Sequence, residues 1–190
     1  MPKNAAMLFL LLLTTMLLGT GCQALSSEDF PADQNQSPGN RKVTLAGIGL
    51  GDSSEHVIKL LGDDCTSEPL HEDGSWFGEP TTRWLYEDLE LIIGEESNTV
   101  LQINLYGEGY STSGGDRVGD RADKVLSNYE AKYALAKDHF EGKELPGWFV
   151  VEEGQWLIFN FKNDETMVNQ SIADADPVES IHLVYEKFMH

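Results

Sequence analysis

One short pattern occurs twice in this chain, and its repetition constrains the fold more than any other feature of the sequence. Gly51-Asp52 followed by Val57 returns 68 positions later as Gly119-Asp120 followed by Val125. The apolar residues that come next also return, first as Leu89, Leu91 and Ile93 and then as Leu157, Phe159 and Phe161. Self-similarity at a fixed distance indicates two copies of one supersecondary unit.

The second copy is longer than the first. Three further apolar residues, Val100, Ile103 and Leu105, return only after 78 positions, as Val178, Ile181 and Leu183. The extra residues fall within 162–177, which is a polar stretch. Insertions between repeats usually lie in surface loops, so we expect one here.

Each copy opens with a helix signal. We predict that Asp52 caps the first helix, that Glu55 completes a capping box and that Gly62 ends the helix. In the second copy, Asp120 and Asp123 hold the corresponding capping positions. That helix could run on through Leu135, or the residues 133–140 could form a strand.

Strand signals follow each helix. The sequence predicts hairpins of 83–86 with 89–93 and of 148–151 with 156–161, and further strands over 100–106 and 178–185. The predicted fold class is α+β, with two tandem helix-plus-antiparallel-meander repeats forming one concave sheet with helices on one face. The predicted boundaries are 43–112 for repeat one and 113–190 for repeat two.

The N-terminus combines an apolar run with a cysteine. The run over 5–18 follows Lys3 and has the layout of a secretory signal peptide. At about 14 residues it is shorter than the ~20 that a transmembrane helix needs. The residues 17–22, Leu-Leu-Gly-Thr-Gly-Cys, resemble the lipobox of bacterial lipoproteins. The resemblance implies that 1–21 is a lipoprotein signal peptide and that Cys22 carries a diacylglycerol; plain secretion is the alternative.

A polar segment separates this cysteine from the first repeat. Residues 22–42 contain two prolines and no apolar period, which predicts a disordered tether. Gln23 stands where the lipoprotein inner-membrane retention signal has Asp, which fits export to an outer membrane. We therefore expect an extracytoplasmic protein, lipid-anchored to a bacterial membrane.

The charge balance restricts the partners. The chain has 13 Lys and Arg residues against 32 Asp and Glu residues, a net charge of −19. Such a chain cannot neutralise phosphates, so we expect no nucleic-acid partner and no polybasic contact with lipid. The excess of carboxylates indicates either solubility alone or a cationic partner. Cys65 lacks a second cysteine if Cys22 is lipidated, so no internal disulfide is expected.

No catalytic, cofactor or metal motif is present in the sequence. None of the five histidines belongs to an HExxH pattern, and we predict no enzyme activity and no cofactor. The acidic loop 163–176 offers oxygen ligands at 163–165 and 174–176, but it lacks the ligand order of an EF-hand. A solvated loop is the first interpretation, and a small-ligand or cation-binding sensor lipoprotein using this loop is the alternative function.

Aromatic residues cluster near the predicted strand pairs in both copies. Alternation places Trp156 on the opposite sheet face from Leu157, and Trp84 on the same face as Tyr86. If that face is open, these side chains are typical protein-binding anchors, and if a loop covers it they are ordinary core. The candidate interface residues are Trp76, Phe77, Trp84, Tyr86, Trp148 and Trp156.

The repeated pattern also resembles a known superfamily. A short helix opened by Gly51-Asp52-Ser53 with Val57, followed by a meander and echoed at Gly119-Asp120, is similar to the β-lactamase inhibitory proteins and the SmpA/OmlA outer-membrane assembly lipoproteins. The resemblance implies a protein that binds other proteins without turning over substrates. The resulting hypothesis is a lipid-anchored, non-enzymatic protein-binding module of the bacterial cell envelope, inhibitor-like or assembly-factor-like. Its partner would be an envelope or extracellular protein.

Overall fold

The computed structural model describes residues 42–161 and 166–189, which belong to one unit of the chain, Pro38–His190. Its helices are α1 (Ser54–Leu61) and α2 (Ala122–Glu130). Its strands are β1 (Thr66–His71), β2 (Thr81–Leu85), β3 (Leu89–Gly94), β4 (Val100–Leu105), β5 (Ala134–Lys137), β6 (Glu144–Glu152), β7 (Gln155–Asn160) and β8 (Ser180–Tyr185). A 3₁₀ turn, Glu186–Phe188, follows β8.

The strands form one antiparallel sheet in the order β1-β2-β3-β4-β8-β7-β6-β5. At its centre β4 pairs with β8, so that Gln102 lies opposite Val184 and Leu105 lies opposite Ile181. The chain therefore enters the sheet at one edge, reaches the centre with β4, starts again at the other edge with β5 and returns to the centre with β8. Antiparallel neighbours need only short connections, which most of these strands have.

The first face of the sheet carries the main hydrophobic core. A row of paired apolar residues crosses it from β2 to β5, and α1 and α2 cover it with Val57, Val125 and Tyr129. Each fully buried apolar side chain of this core stabilises the fold by about 1.5–3 kcal/mol. The row consists of Trp84, Leu91, Ile103, Leu183, Leu157, Phe149 and Leu135.

The second face carries two smaller apolar clusters with polar side chains between them. One cluster joins Trp148 and Trp156 to Ile158 and Val184. The other joins Phe77 to Phe188, Ile92 and Leu101. Because successive strand residues alternate between faces, Trp156 lies on this face while Leu157 lies on the first, as the sequence predicted.

The start of α1 differs from the prediction. Ser53 is the N-cap, and its hydroxyl accepts a hydrogen bond from the backbone N–H of His56 at 3.2 Å. Asp52 instead accepts from the N–H of Gly49 at 2.7 Å and pairs with Lys42 at 3.0 Å. The carboxylate thus fastens the preceding turn, which leaves the cap to the next residue. Gly62 ends the helix as expected, with a positive φ of 85°.

The second helix shows the same departure from the prediction. Asp120 accepts from the N–H of Arg117 at 2.8 Å and pairs with Lys124 at 2.8 Å. The N-cap of α2 is Arg121, which makes no side-chain capping bond. The helix ends at Glu130, and the residues from Ala134 to Lys137 form β5. Of the two alternatives for this segment, the strand is therefore correct.

The predicted architecture of two tandem helix-plus-meander repeats is wrong. The described chain is mostly one eight-stranded antiparallel sheet, with helices of only 8 and 9 residues, and is α+β in the broad sense. The physical reason is the pairing of β4 with β8 and the main core that runs across it. Apolar residues from Val43 to Leu183 share that core, so neither half is a separate packing unit.

The individual strands were predicted more accurately than their grouping. The hairpins of β2 with β3 and of β6 with β7, and the strands β4 and β8, are confirmed. The edge strand β1 was not predicted. β6 starts at Glu144 and not at Trp148, and it includes Pro146 and Gly147, residue types that are typical of turns.

Candidate functional site on the second face of the sheet

A chain of polar side chains crosses the second face near its centre. Arg83 on β2 lies 3.7 Å from Glu90 on β3, between Nη1 and Oε2. The Nδ2 of Asn104 on β4 donates to Glu90 Oε1 at 2.7 Å. The Oδ1 of Asn104 lies 2.8 Å from Nδ1 of His182 on β8, and His182 Nε2 lies 2.8 Å from Ser180 Oγ. Strand register brings these groups together, since Asn104 pairs with both Glu90 and His182.

These contacts fix the hydrogen positions on His182. The amide oxygen of Asn104 can only accept, so Nδ1 carries the hydrogen and Nε2 accepts from the Ser180 hydroxyl. Burial lowers the pKa of His182 to about 4, which keeps the imidazole neutral near pH 7.

The order Ser180, His182, Asn104 is also that of an activated nucleophile. Ser180 is only 6% exposed, however, so its hydroxyl is not presented to solvent. We therefore interpret the polar chain as a structural network that satisfies buried polar groups between strands.

Three of the predicted interface aromatics lie in the interior. Trp148, Trp156 and Phe77 are 4%, 3% and 6% exposed. The rings of Trp148 and Trp156 meet edge-on at 5.6 Å, and Trp148 Nε1 donates to the carbonyl of Met167 at 2.9 Å. Phe77 packs edge-on against Phe188 at 4.9 Å. Residues outside the strands cover these rings, so the core alternative describes all three.

The other three predicted aromatics do not join them. Trp84 and Tyr86 are half-buried against the main core of the first face, and the Tyr86 hydroxyl donates to the carbonyl of Gly62 at 3.0 Å. Trp76 is 46% exposed and stacks on His71 with ring centroids 6.2 Å apart. The six candidates are therefore spread over both faces and do not form one surface.

A groove opens beside the Trp148–Trp156 pair. It consists of a cavity of about 740 Å³ and an adjoining one of about 220 Å³, which share His139, Phe140 and Met189. His139 stacks on Trp156 with centroids 5.5 Å apart. Phe140 is 92% exposed, the largest value among the exposed large hydrophobic residues of the described chain. We call this feature the Phe140 groove; it is lined by Asp138, His139, Phe140, Leu145, Trp148, Glu153, Gly154, Trp156, Val168, Tyr185, Glu186, Lys187 and Met189.

A tight turn between β5 and β6 holds Phe140 at the rim. The Oδ1 of Asp138 accepts from the N–H groups of Phe140 at 2.6 Å and Glu141 at 3.1 Å. The backbone closes the turn, with Gly142 N–H donating to Asp138 O at 3.0 Å and Asp138 N–H to Lys143 O at 2.9 Å. The two N–H groups that the carboxylate accepts from lower the pKa of Asp138, which keeps it charged. Hydrogen bonds within this turn therefore fix the backbone position from which Phe140 extends into solvent.

The far wall of the groove carries charge. Glu186 N–H donates to the carbonyl of Gly154 at 2.9 Å, which joins the 3₁₀ turn to the hairpin that carries Glu153. Lys187 Nζ lies 4.6 Å from the ring centroid of Phe188 and 5.4 Å from that of Tyr185. Three carboxylates and one ammonium thus line the groove, and the ammonium rests on aromatic rings.

The acidic loop 163–176 falls partly outside the described residues, at 163–165. In the part that is described, Asp176 Oδ2 accepts from the N–H of Ala173 at 2.8 Å and closes a turn. Within residues 42–161 and 166–189, no group of three or more His, Cys, Asp and Glu side chains could hold a metal ion.

Cys22, the predicted signal peptide 1–21 and the predicted tether 22–42, except for its last residue Lys42, lie outside the described residues. Cys65 is free and half-buried. None of the helices in the described part of the chain is long and apolar enough to cross a membrane.

Sequence reasoning missed the residues that build the groove. In the sequence, Phe140 was only the last residue of the alternative strand 133–140, and the insertion 162–177 was predicted as a surface loop. In the structure Asn169, within that insertion, is 2% exposed and Met167 packs on the tryptophan pair. The Asp138-to-Gly142 stretch was a usable signal, because Asp followed by Gly at short spacing is typical of a turn.

Comparisons with known proteins add little. No protein-family model matches the chain, and no curated protein matches it. A similar solved structure is that of an extracellular protein containing a SCP domain from Bacillus anthracis str. Ames. It is 12% identical, with a TM-score of 0.48 over 83% of this chain and 50% of that one. The chain thus spans half the length of that protein, and a likeness of this size carries no argument about function.

Proposed function

We propose that this chain is a lipid-anchored, non-enzymatic protein-binding module of the bacterial cell envelope. The apolar run 5–18, followed by the lipobox-like residues up to Cys22, supports export and attachment to the extracytoplasmic side of a membrane through an N-terminal lipid. The resemblance of Gly51-Asp52-Ser53 and its surroundings to the β-lactamase inhibitory proteins and the SmpA/OmlA lipoproteins supports binding over catalysis.

The observation that carries the proposal is the placement of Phe140. A phenylalanine that is 92% exposed leaves its apolar surface in water, yet the turn around Asp138 holds it there with two hydrogen bonds. It stands at the rim of a groove whose floor is apolar. An exposed aromatic on a hydrogen-bonded turn, beside a concave apolar surface, is a typical protein-binding anchor.

Of the six aromatics that the sequence suggested, only Trp148 and Trp156 border the proposed contact surface. Trp148 and Trp156 form the floor of the groove and Phe140 its edge, so a partner residue would insert between them. Full burial of one such apolar side chain contributes about 1.5–3 kcal/mol, so the loss of Phe140 should weaken binding about tenfold or more.

The test is site-specific photocrosslinking in the cell that exports the protein. A photoreactive phenylalanine analogue at position 140 should yield a saturable adduct with one envelope or extracellular protein. The matched control carries the analogue at Ile58, which is 42% exposed on α1, a helix that covers the first face and not the groove. Cys22→Ser in the same cells should move the chain from the membrane pellet to the soluble fraction and abolish incorporation of an alkyne-labelled fatty acid.

Two results would contradict the proposal. Identical adducts from positions 140 and 58 would mean random encounter and would remove the groove as a binding surface. An unchanged membrane fraction and unchanged fatty-acid labelling in Cys22→Ser would remove the lipid anchor.

A further inference from the structure

The Phe140 groove carries a charge pattern that restricts its partner. Carboxylates of Asp138, Glu153 and Glu186 line it, and Lys187 is the one lysine or arginine in its lining. The whole chain has a net charge of −19, so the surrounding field is also negative. An incoming cation is attracted both by the field and by the carboxylates at the groove.

One edge of the groove already holds a cation, the side-chain ammonium of Lys187. The ammonium of Lys187 lies over the rings of Phe188 and Tyr185, at 4.6 and 5.4 Å from their centroids. Tyr185 is also one of the residues that line the larger cavity, and Phe188 is not. Aromatic faces attract Lys and Arg side chains, so the position over these rings, at the edge of the groove, is a cation position that Lys187 fills in the free protein.

We propose that the Phe140 groove binds a segment of a partner protein that carries a Lys or Arg side chain next to an apolar anchor. The apolar anchor packs between Phe140 and the tryptophan floor. The basic side chain takes the cation position, faces Glu153 and Glu186, and displaces Lys187. This inference rests on the proposed function, because it names the chemistry of the partner at the same groove.

Three short fluorescein-labelled peptides test it by fluorescence anisotropy with the full chain. The first contains Lys and one Phe, the second replaces each Lys with Glu, and the third replaces Phe with Ser. The first should bind tightest, and raising the salt concentration should weaken it because the contact is partly electrostatic. Each substituted peptide should bind at least fivefold more weakly.

Protein variants separate the groove from the general negative field. Glu153→Gln with Glu186→Gln should weaken the first peptide about five- to tenfold. The control pair, Glu55→Gln with Glu130→Gln, removes the same net charge from exposed positions on the two helices and should change binding less than twofold. Lys187→Ala should tighten binding about threefold, because the competing ammonium is gone.

Each remaining outcome overturns the inference. Equal weakening by the two pairs of Glu variants would mean attraction by net charge alone. Weaker binding in Lys187→Ala would mean that this lysine contacts the ligand and does not compete with it. Binding of the acidic peptide that still depends on Phe140 would contradict the cationic partner but not the protein-binding proposal. The protein-binding proposal is decided by the crosslinking result at position 140.

Discussion

At the scale of single residues, His182 couples folding to pH. Its folded-state pKa of about 4 lies below the ordinary value of 6.5, because burial disfavours the charged imidazole. The unfolded chain therefore takes up a proton between pH 6.5 and 4 that the folded chain refuses. The stability from this residue is complete above pH 6.5 and is lost as the pH falls through that window.

We predict that the free energy of unfolding falls by about 2 kcal/mol between pH 7 and pH 5 through this group, since one pH unit corresponds to about 1.4 kcal/mol per proton. Urea unfolding at both pH values measures it. His182→Gln should lose most of this difference, while Ser180→Ala, which keeps the imidazole, should retain it. The pKa values of Glu79 and Asp120 are lowered from 4.5 and 3.8, so in the folded chain these carboxylates stay mainly charged between pH 7 and pH 5. An undiminished difference in His182→Gln would contradict the assignment.

At the scale of elements, β6 depends on a close approach between backbones. Gly147 has a φ of +82°, and a Cβ at this position would meet the carbonyl oxygen of Phe159 at 2.7 Å and Nδ2 of Asn169 at 2.8 Å. Asn169 fastens the same place, accepting from Phe161 N–H at 3.0 Å and donating to the carbonyls of Pro146 and Phe159 at 2.9 Å. This part of β6 therefore depends on the hydrogen bonds of the buried Asn169 amide and on the absence of a side chain at Gly147.

We predict that Gly147→Ala lowers the free energy of unfolding by about 2–5 kcal/mol, from the strained φ together with the overlap on Phe159. Gly154→Ala is the matched control, because Gly154 has a φ of +70° but no neighbouring atom within 4 Å of the position that a Cβ would take. It should cost about 1 kcal/mol, the strain alone. Equilibrium urea unfolding of both variants gives the difference, and equal losses would mean that the contact with β7 does not matter.

These elements also show what the sequence could and could not supply. The strands β2, β3, β4, β7 and β8 were predictable because their apolar residues alternate and are bounded by turn residues. The start of β6 was not, since Pro146 and Gly147 favour a turn locally, whereas the hydrogen bond from Asn169 that holds this segment comes from a distant part of the chain. The two helix caps were wrongly predicted because Asp52 and Asp120 bond to N–H groups of the preceding turn, an alternative that local spacing does not exclude.

The candidate site was less predictable than the strands. Alternation placed Trp156 on the correct face, but whether a loop covers that face depends on contacts distant in sequence, such as that between Trp148 and Met167. The same is true of Phe140. Its exposure indicates a groove only because the 3₁₀ turn at Glu186–Phe188, far away in sequence, lies across from it. The sequence therefore predicts which residues lie on one face of a strand more readily than which distant segments cover that face.

At the scale of the whole molecule, the pairing of β4 with β8 decides how the protein unfolds. Ile103 and Leu183 lie opposite each other at this junction, and both are fully buried in the main core. Because the core crosses the junction, neither side of the sheet keeps a complete hydrophobic cluster when the other opens. The molecule should therefore behave as one cooperative unit, as small single domains usually do.

We predict that tryptophans on the two sides of the junction report the same transition. The variant Trp76→Phe with Trp84→Phe leaves Trp148 and Trp156 on the β6–β7 side, and the opposite pair of substitutions leaves Trp76 and Trp84 on the β1–β2 side. In each variant, the urea midpoint from tryptophan fluorescence should coincide with that from far-UV circular dichroism. Ile103→Ala, added to either variant, should lower both midpoints together and cost about 2–5 kcal/mol, since it opens a cavity at the centre of the sheet. Fluorescence and dichroism midpoints that separate, or an Ile103→Ala effect confined to one side, would show that the halves fold independently and that the junction is only a contact between them.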